Sequence, residues 1–194
     1  MRKNIMLFVV LSVLAAPVFA GGEQDPNAPF NDHSIVAVHR IHMREVVRIG
    51  IITDNEPFSF QDAKGVWQGY DVYFARRIAV EILDKKDKYL RLVPVTSENW
   101  VELLEDDKVD FVLGFGPGGG WNADFSLPFR KSADGNIAVG VRKGNDGLIL
   151  WINDVISRRV ESDFFHKNYE ATMRSVYGKS ANPDSIVIER GIVN

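Results

Sequence analysis

Residues 47–81, VRIGIITDNEPFSFQDAKGVWQGYDVYFARRIAVE, contain the pattern that decides the fold. The run 46–52 is apolar, rich in β-branched residues and followed by the turn-forming pair Asp54-Asn55, which predicts a buried strand. Over residues 71–83 the apolar positions take the spacing of a helix with one apolar face, as expected for a helix that covers a sheet. A strand that stops in a polar loop is typical of a ligand-facing edge in an α/β protein.

The rest of the chain continues this alternation. Further strands are predicted at residues 90–95, 109–115 and 137–141, and helices at a short segment capped by Ser97 and at residues 148–160 and 162–177. Strands that alternate with helices imply a mainly parallel sheet. The expected fold class is therefore α/β, a three-layer α/β/α sandwich.

The order of these segments resembles that of the extracellular (periplasmic) solute-binding proteins of family 3, the amino-acid-type receptors of ABC importers. In that family a strand is followed by D-N-x-P-F-x-F, a hairpin, G-Y-D and a helix, as in residues 47–81. LRLVPVTSENWVELLEDDKVDFVLG at residues 90–114 resembles the second strand, helix and third strand of the family. DFSLPF at residues 124–129 resembles its D-F-S-x-P-[YF] segment, and residues 137–191 are similar to its last strand and closing helices. The resemblance implies a type II periplasmic-binding-protein fold.

One large part of the family pattern is absent. In the family the chain leaves the D-F-S-x-P-Y segment for a second α/β lobe and returns through a strand that resembles residues 137–141. Here residues 130–136 join the two segments directly, which implies a single, truncated lobe over residues 46–194. The missing lobe supplies the family's ammonium-binding aspartate and closes over the ligand. We therefore expect reduced binding competence.

Composition limits the function further. The 194 residues are 45% hydrophobic and 25% charged, an ordinary composition for one globular domain. A net charge of -3 provides no broad basic surface, which disfavours a nucleic-acid partner. There is no cysteine, so neither a disulfide nor a cysteine-linked lipid can form, and no pattern predicts a cofactor.

The N-terminus predicts export. Residues 1–20 have a basic start, an apolar run at residues 5–19 and small residues before an expected cleavage after Ala20, which is the pattern of a signal peptide. An uncleaved membrane anchor is the alternative, but the run is shorter than the ~20 apolar residues of a spanning helix. A periplasmic protein is the prediction.

Residues 21–45 are predicted to be a flexible arm. They are polar, contain two prolines and show no sustained period. His33, His39 and His42 lie in this arm, where metal binding and simple solvation are the two interpretations. Solvation is favoured because no acidic or cysteine partner completes a ligand set, so no metal site is predicted.

The candidate ligand site lies beyond the carboxyl ends of the strands, in the loops at residues 54–58, 96–100 and 114–121. In the resembling family the first loop supplies a carboxylate and an aromatic wall, which match Asp54 and Phe58. Each has an alternative interpretation. Asp54 would instead cap its own loop, and Phe58 would pack against its own hairpin.

The second loop departs from the family pattern at Trp100. Members that prefer acidic amino acids carry an arginine at this position, so a bidentate partner for a side-chain carboxylate is lost. Trp100 is expected either to stack on an apolar or aromatic ligand or to pack at the start of a helix.

The third loop departs more strongly. The family follows its third strand with T-x-T-x-x-R, whose arginine clamps the α-carboxylate of the ligand. Here the sequence FGPGGGWNA at residues 115–123 places Asn122 at the arginine position, which leaves Gly114 and Phe115 as candidates at this strand end. The glycine-rich loop lacks the lysine and Ser/Thr of a phosphate loop, so phosphate binding there is disfavoured.

Three functions remain open. The preferred one is a receptor for a small polar solute, an amino acid, that works with the membrane subunits of an ABC importer. The second is a degenerate interaction module that self-associates through an exposed cleft face with Phe58, Trp100, Phe115 and Trp121. The third is a periplasmic enzyme similar to the dehydratase-like relatives. It is disfavoured because no nucleophile and base pair is found: cysteine is absent and His166 lies in a predicted helix.

Overall fold

The computed structural model describes residues 33–84 and 89–189. The predicted signal peptide, the first part of the predicted arm and the side chain of His33 lie outside the described residues. The described residues form seven strands: β1 (Val47–Ile52), β2 (Phe60–Gln61), β3 (Trp67–Gln68), β4 (Leu90–Val95), β5 (Phe111–Phe115), β6 (Ala123–Ser132) and β7 (Gly135–Arg142). The described helices are α1 (His33–Arg44), α2 (Tyr70–Leu83), α3 (Trp100–Glu105), α4 (Asp146–Glu161), α5 (Phe164–Thr172) and α6 (Arg174–Tyr177). None of them is both long and apolar enough to span a membrane.

A five-stranded sheet forms the middle layer, in the order β4-β1-β5-β7-β6. Strands β4, β1 and β5 run parallel, whereas β7 is antiparallel to β5 and to β6. The small hairpin β2-β3 lies outside this sheet. The strands predicted near residues 46–52, 90–95, 109–115 and 137–141 are confirmed, with ends shifted by no more than a few residues.

Helices cover both faces of the sheet, and the sheet separates two hydrophobic cores. Along β5, Phe111 and Leu113 join the larger core under α1, α2, α4 and α5, whereas Val112 and Phe115 join a smaller core under α3. From Phe111 to Leu113 this alternation is the two-residue period of a strand with both faces buried. The register irregularity between Leu113 and Phe115 then places Phe115 on the face of Val112. Because each fully buried large apolar side chain contributes about 1.5–3 kcal/mol, both cores stabilise the fold substantially. The predicted three-layer α/β/α sandwich is confirmed.

Helix α2 shows why the sequence folds this way. Its apolar face is buried against the sheet, and Phe74 on that face contacts Phe129 and Phe165 at ring-centre distances of 4.9 and 5.2 Å. The predicted helix 162–177 is broken into α5 and α6 at Met173, which is itself buried.

Residues 33–44 form a helix, so the prediction of a flexible arm over residues 21–45 is wrong for this part. Ala37 and Ile41 lie one helical turn apart and are buried, and α1 packs against α4 and α2. A single pair at this spacing is enough to bury one face of a short helix once its neighbours are in place. His39 and His42 are exposed, and no described group of three or more His, Cys, Asp or Glu side chains is placed to hold a metal ion.

Residues 130–136 form the end of a hairpin. Strands β6 and β7 are joined by the two-residue turn Ala133-Asp134, with Ser132 paired to Gly135 and Arg130 paired to Ile137. Gly135 adopts φ 128°, a value that glycine tolerates best. The chain therefore passes between these neighbouring strands without leaving the sheet.

Candidate functional site

The three predicted loops begin at one edge of the sheet, which we call the carboxyl edge. Ile52 pairs with Val95 and Ile51 pairs with Leu113, so β1, β4 and β5 end side by side. The loops at residues 53–59, 96–99 and 116–122 follow these strand ends. This is the position at which ligands bind in open α/β sheets.

The first loop is held by its own backbone. The N–H groups of Phe58 and Ser59 donate to the Asn55 carbonyl at 2.7 and 2.9 Å, and the Ser59 hydroxyl donates to the Ile52 carbonyl at 2.7 Å. Asp54 is exposed, with φ 54°, and its carboxylate makes no hydrogen bond or ion pair within residues 33–84 and 89–189. The loop-capping interpretation of Asp54 therefore has no support in the geometry, and the carboxylate faces solvent.

The same loop also caps helix α2. The N–H groups of Tyr70 and Asp71, which have no acceptor inside the helix, donate to the carbonyls of Pro57 and Phe58 at 3.2 and 2.9 Å. Gly69 precedes them with φ 113°, and a side chain there would collide with the Phe58 carbonyl. This close approach requires glycine and fixes the loop against the helix.

Phe58 is covered on one side by a buried ion pair. The Arg130 guanidinium lies 4.0 Å from the centre of the Phe58 ring and donates to both Asp71 oxygens, at 2.7 and 3.0 Å. The Arg130 side chain is 3% exposed and that of Asp71 is 0% exposed. Burial raises the pKa of Asp71, whereas the positive charge of Arg130 opposes that rise. Phe58 is half-buried, so only part of the ring remains for a ligand.

Sequence reasoning assigned no role to Asp71 or Arg130. Two signals were present: a carboxylate on the apolar face of α2 and an arginine directly after the apolar segment LPF. A charged residue at a buried position is rare unless it is paired. The two residues are 59 positions apart, so the sequence did not show that they are partners.

Trp100 and Phe115 belong to the smaller core. Trp100 is 0% exposed and stacks on Phe115, with ring centres 4.7 Å apart and an angle of 16° between the planes. Trp121 packs edge-on against Trp100 at 5.3 Å. This geometry favours the packing interpretation of Trp100 over stacking on a ligand. Of the four aromatic residues expected on an exposed cleft face, Trp100 and Phe115 are buried and Phe58 and Trp121 are half-buried.

The third loop is a tight turn that packs against the side chain of Trp121. Pro117–Gly119 form a 3₁₀ turn, and the Trp121 indole lies so close to Gly119 that any side chain there would collide with it. Asn122, which was predicted to stand at the position of the family's clamping arginine, donates to Glu105 at 2.8 Å. Gly114 adopts φ 108° at an irregularity in β5, where a side chain would meet Ile52 at 2.7 Å. Glycine adopts this backbone conformation most easily, and only glycine leaves room for Ile52 there.

All charged residues of the three loops are acidic. Asp54, Glu56 and Glu98 are exposed, and no lysine or arginine occurs in residues 53–59, 96–99 or 116–122. The Ser97 hydroxyl donates to Glu98 at 2.6 Å, and hydrogen bonds from Ser97 and Thr96 lower the pKa of the Glu98 carboxyl. The carboxyl edge thus presents acidic side chains and no basic ones, a surface that suits a positively charged group.

Comparison with known proteins agrees with this architecture. Residues 47–173 match the model of the bacterial extracellular solute-binding proteins, family 3. The L-cystine-binding protein TcyJ of Escherichia coli (strain K12) is 25% identical over 168 residues, 85% of this chain and 58% of the relative. The chain therefore spans less than two thirds of the length of this relative.

Solved structures show the same fold. The cysteine-binding protein of Campylobacter jejuni is similar with a TM-score of 0.69 and 22% identity, over 79% of this chain and 99% of that chain. The arginine-bound form of domain 1 from TmArgBP is similar with a TM-score of 0.53 and 25% identity, over 61% of this chain and 97% of that chain. Together with the family match over residues 47–173, these similarities show that the chain belongs to the bacterial extracellular solute-binding proteins, family 3, as a single lobe of the type II periplasmic-binding-protein fold.

Proposed function

We propose that this chain is an exported amino-acid receptor lobe that works with an ABC importer and binds a cationic amino acid weakly at the carboxyl edge. The acidic character of that edge carries the proposal. Asp54, in the loop that resembles the family's D-N-x-P-F-x-F segment, is exposed and has no partner among the described residues, so it is free to accept hydrogen bonds from an ammonium or guanidinium group. The half-buried Phe58 stands four residues later in the same loop and offers an apolar contact.

The three loops offer no basic side chain to bind a ligand carboxylate, which determines the selectivity that we expect among amino acids. The position of the family's arginine holds Asn122, which already donates to Glu105, and the three loops contain no other basic residue. An acidic amino acid would place its second carboxylate near Asp54 and Glu98, where like charges repel. We therefore expect arginine or lysine to bind better than glutamate or aspartate.

A site formed by a single lobe is open to water, so we expect its affinity for the ligand to be low. Without a second lobe, bound ligand stays in contact with water, and polar contacts compete with solvent. A millimolar dissociation constant corresponds to about -4.1 kcal/mol, the range we expect for one charge-assisted contact and one aromatic contact. Binding by a lone lobe has a parallel in the arginine-bound form of domain 1 from TmArgBP, a structure at 25% identity to this chain.

Thermal unfolding with a panel of amino acids tests this proposal. A ligand at ten times its dissociation constant stabilises the folded state by about 1.4 kcal/mol, which raises the midpoint by roughly 3–6 °C for a chain of this size. We expect such a rise with arginine or lysine and none with glutamate, all as chloride or sodium salts at equal ionic strength.

A matched pair of variants locates the site. Asp54→Asn removes the charge but keeps a residue that tolerates the local backbone, whereas Asp84→Asn makes the same change at an exposed residue at the end of α2. Only Asp54→Asn should abolish the rise in midpoint with arginine. Equal responses of both variants, or no response of the wild-type chain to any amino acid, would contradict the proposal.

A further inference from the structure

The opposite end of the sheet contains a cavity whose charged lining is mainly arginine. It has a volume of about 160 Å³ and lies at the amino ends of the parallel strands. Its charged lining consists of Arg40, Arg44, Arg48, Asp107, Asp110 and Arg142. These residues come from α1, β1, the segment between α3 and β5, and the end of β7. We call this space the arginine cavity.

The two aspartates compensate only part of the charge. Asp110 receives hydrogen bonds from Arg44 at 2.6 Å and from Arg48 at 3.2 Å, and it also accepts the Arg48 backbone N–H at 2.7 Å. Asp107 pairs with Arg142 at 3.2 Å. Four guanidinium groups thus face two carboxylates, which leaves two positive charges without a counter-charge in the cavity wall.

Two of the arginines keep donors unused. The Nε of Arg48 is buried and has no hydrogen-bond partner in the described structure. Arg40 makes no ion pair or hydrogen bond within residues 33–84 and 89–189, although it lines the cavity. A buried donor without an acceptor is unfavourable by about 1–3 kcal/mol, so such groups usually indicate a missing partner.

We propose that the arginine cavity binds a small multivalent oxyanion of the phosphate or sulfate class. Guanidinium groups bind such oxygens in bidentate geometry, and an ion with two negative charges would balance the excess in the wall. A water molecule needs roughly 10–15 Å³ of comparable space, so the cavity has room for a tetrahedral oxyanion together with several waters. This site lies at the other end of the sheet from the carboxyl edge and is independent of the proposed amino-acid site.

Calorimetric titration of the whole chain with inorganic phosphate tests the proposal, with chloride at equal ionic strength as the reference. We expect saturable binding that is weakened about tenfold by Arg40→Ala or Arg142→Ala, since each removes one charge-assisted contact. Lys143→Ala removes the same charge from an exposed neighbour that does not line the cavity, and it should change the affinity less than about twofold. Arg40 holds no described residue in place, so its variant should fold as the wild type does.

Two results would overturn the proposal. One is the absence of saturable binding of phosphate and of any rise in unfolding midpoint when phosphate replaces chloride. The other is equal weakening by Lys143→Ala and Arg40→Ala, which would indicate a diffuse charge effect. Sedimentation with phosphatidic acid vesicles separates the sources of the oxyanion: binding to vesicles without binding of free phosphate would refute a site for a small ion.

Discussion

Replacing Asp71 by alanine removes the partner of a guanidinium group that is 3% exposed. The two hydrogen bonds at 2.7 and 3.0 Å are lost, and Arg130 remains held against Phe58 without a counter-charge. Breaking a buried pair in this way lowers the free energy of unfolding by about 3–5 kcal/mol, a large part of the ~5–15 kcal/mol of a typical domain. For a chain of this size the unfolding midpoint should fall by roughly 6–20 °C.

Urea unfolding followed by circular dichroism measures this loss. Asp154→Ala is the matched control, because Asp154 also pairs with an arginine, Arg158, but on the surface, where the loss should stay below about 0.5 kcal/mol. The double variant Asp71→Leu with Arg130→Met removes both charges and should recover most of the stability. The explanation fails if Asp71→Ala lies within about 1 kcal/mol of the wild type, or if the double variant is no more stable than Asp71→Ala.

Two further predictions concern stability. Trp100→Ala should lower the free energy of unfolding, measured in urea, by about 3–5 kcal/mol, because a fully buried indole stacked on Phe115 is lost. A loss below about 1 kcal/mol would contradict the assignment of Trp100 to the core. Asp62 accepts the N–H groups of Lys64 and Val66 at 2.8 and 3.0 Å, and these bonds lower its pKa. Its contribution is therefore present above the ordinary carboxyl pKa of about 4 and is lost as pH falls through the lowered value. The stability difference between wild type and Asp62→Ala should shrink from pH 7 to pH 3, and a difference that stays constant with pH would contradict this assignment.

The parallel part of the fold could be predicted because it depends on local patterns. Strands β1, β4 and β5 are short apolar runs bounded by turn residues, and α2 begins one residue before its predicted start. Helix α1 could not be predicted in this way. Its stability comes from burying Ala37 and Ile41 against α4, more than 100 residues later in the chain, and nothing in the local composition shows that surface.

The sequence predicted at which edge of the sheet the candidate residues lie, but not which contacts their side chains make. Asp54 and Phe58 lie at the expected edge, since the carboxyl ends of parallel strands meet there. The sequence left open whether Trp100 contacts ligand or packs, because an aromatic residue at the start of a helix fits both. The pairing of Asp71 with Arg130 depends on β6 lying beside α2, which follows from tertiary structure alone.

The turn Ala133-Asp134 bears on the order in which the chain folds. In two-lobed members of the family, the strands that match β6 and β7 are separated by a lobe on the order of 100 residues. Here Ser132 and Gly135 are already adjacent. Each doubling of a loop adds about 0.6 kcal/mol to its closure, so the direct turn favours pairing by roughly 3 kcal/mol. Hairpins form in about 1–10 μs, whereas β1, β4 and β5 must pair across intervening helices. We therefore expect this lobe to fold from its antiparallel half, with β5 adding to a hairpin that already exists.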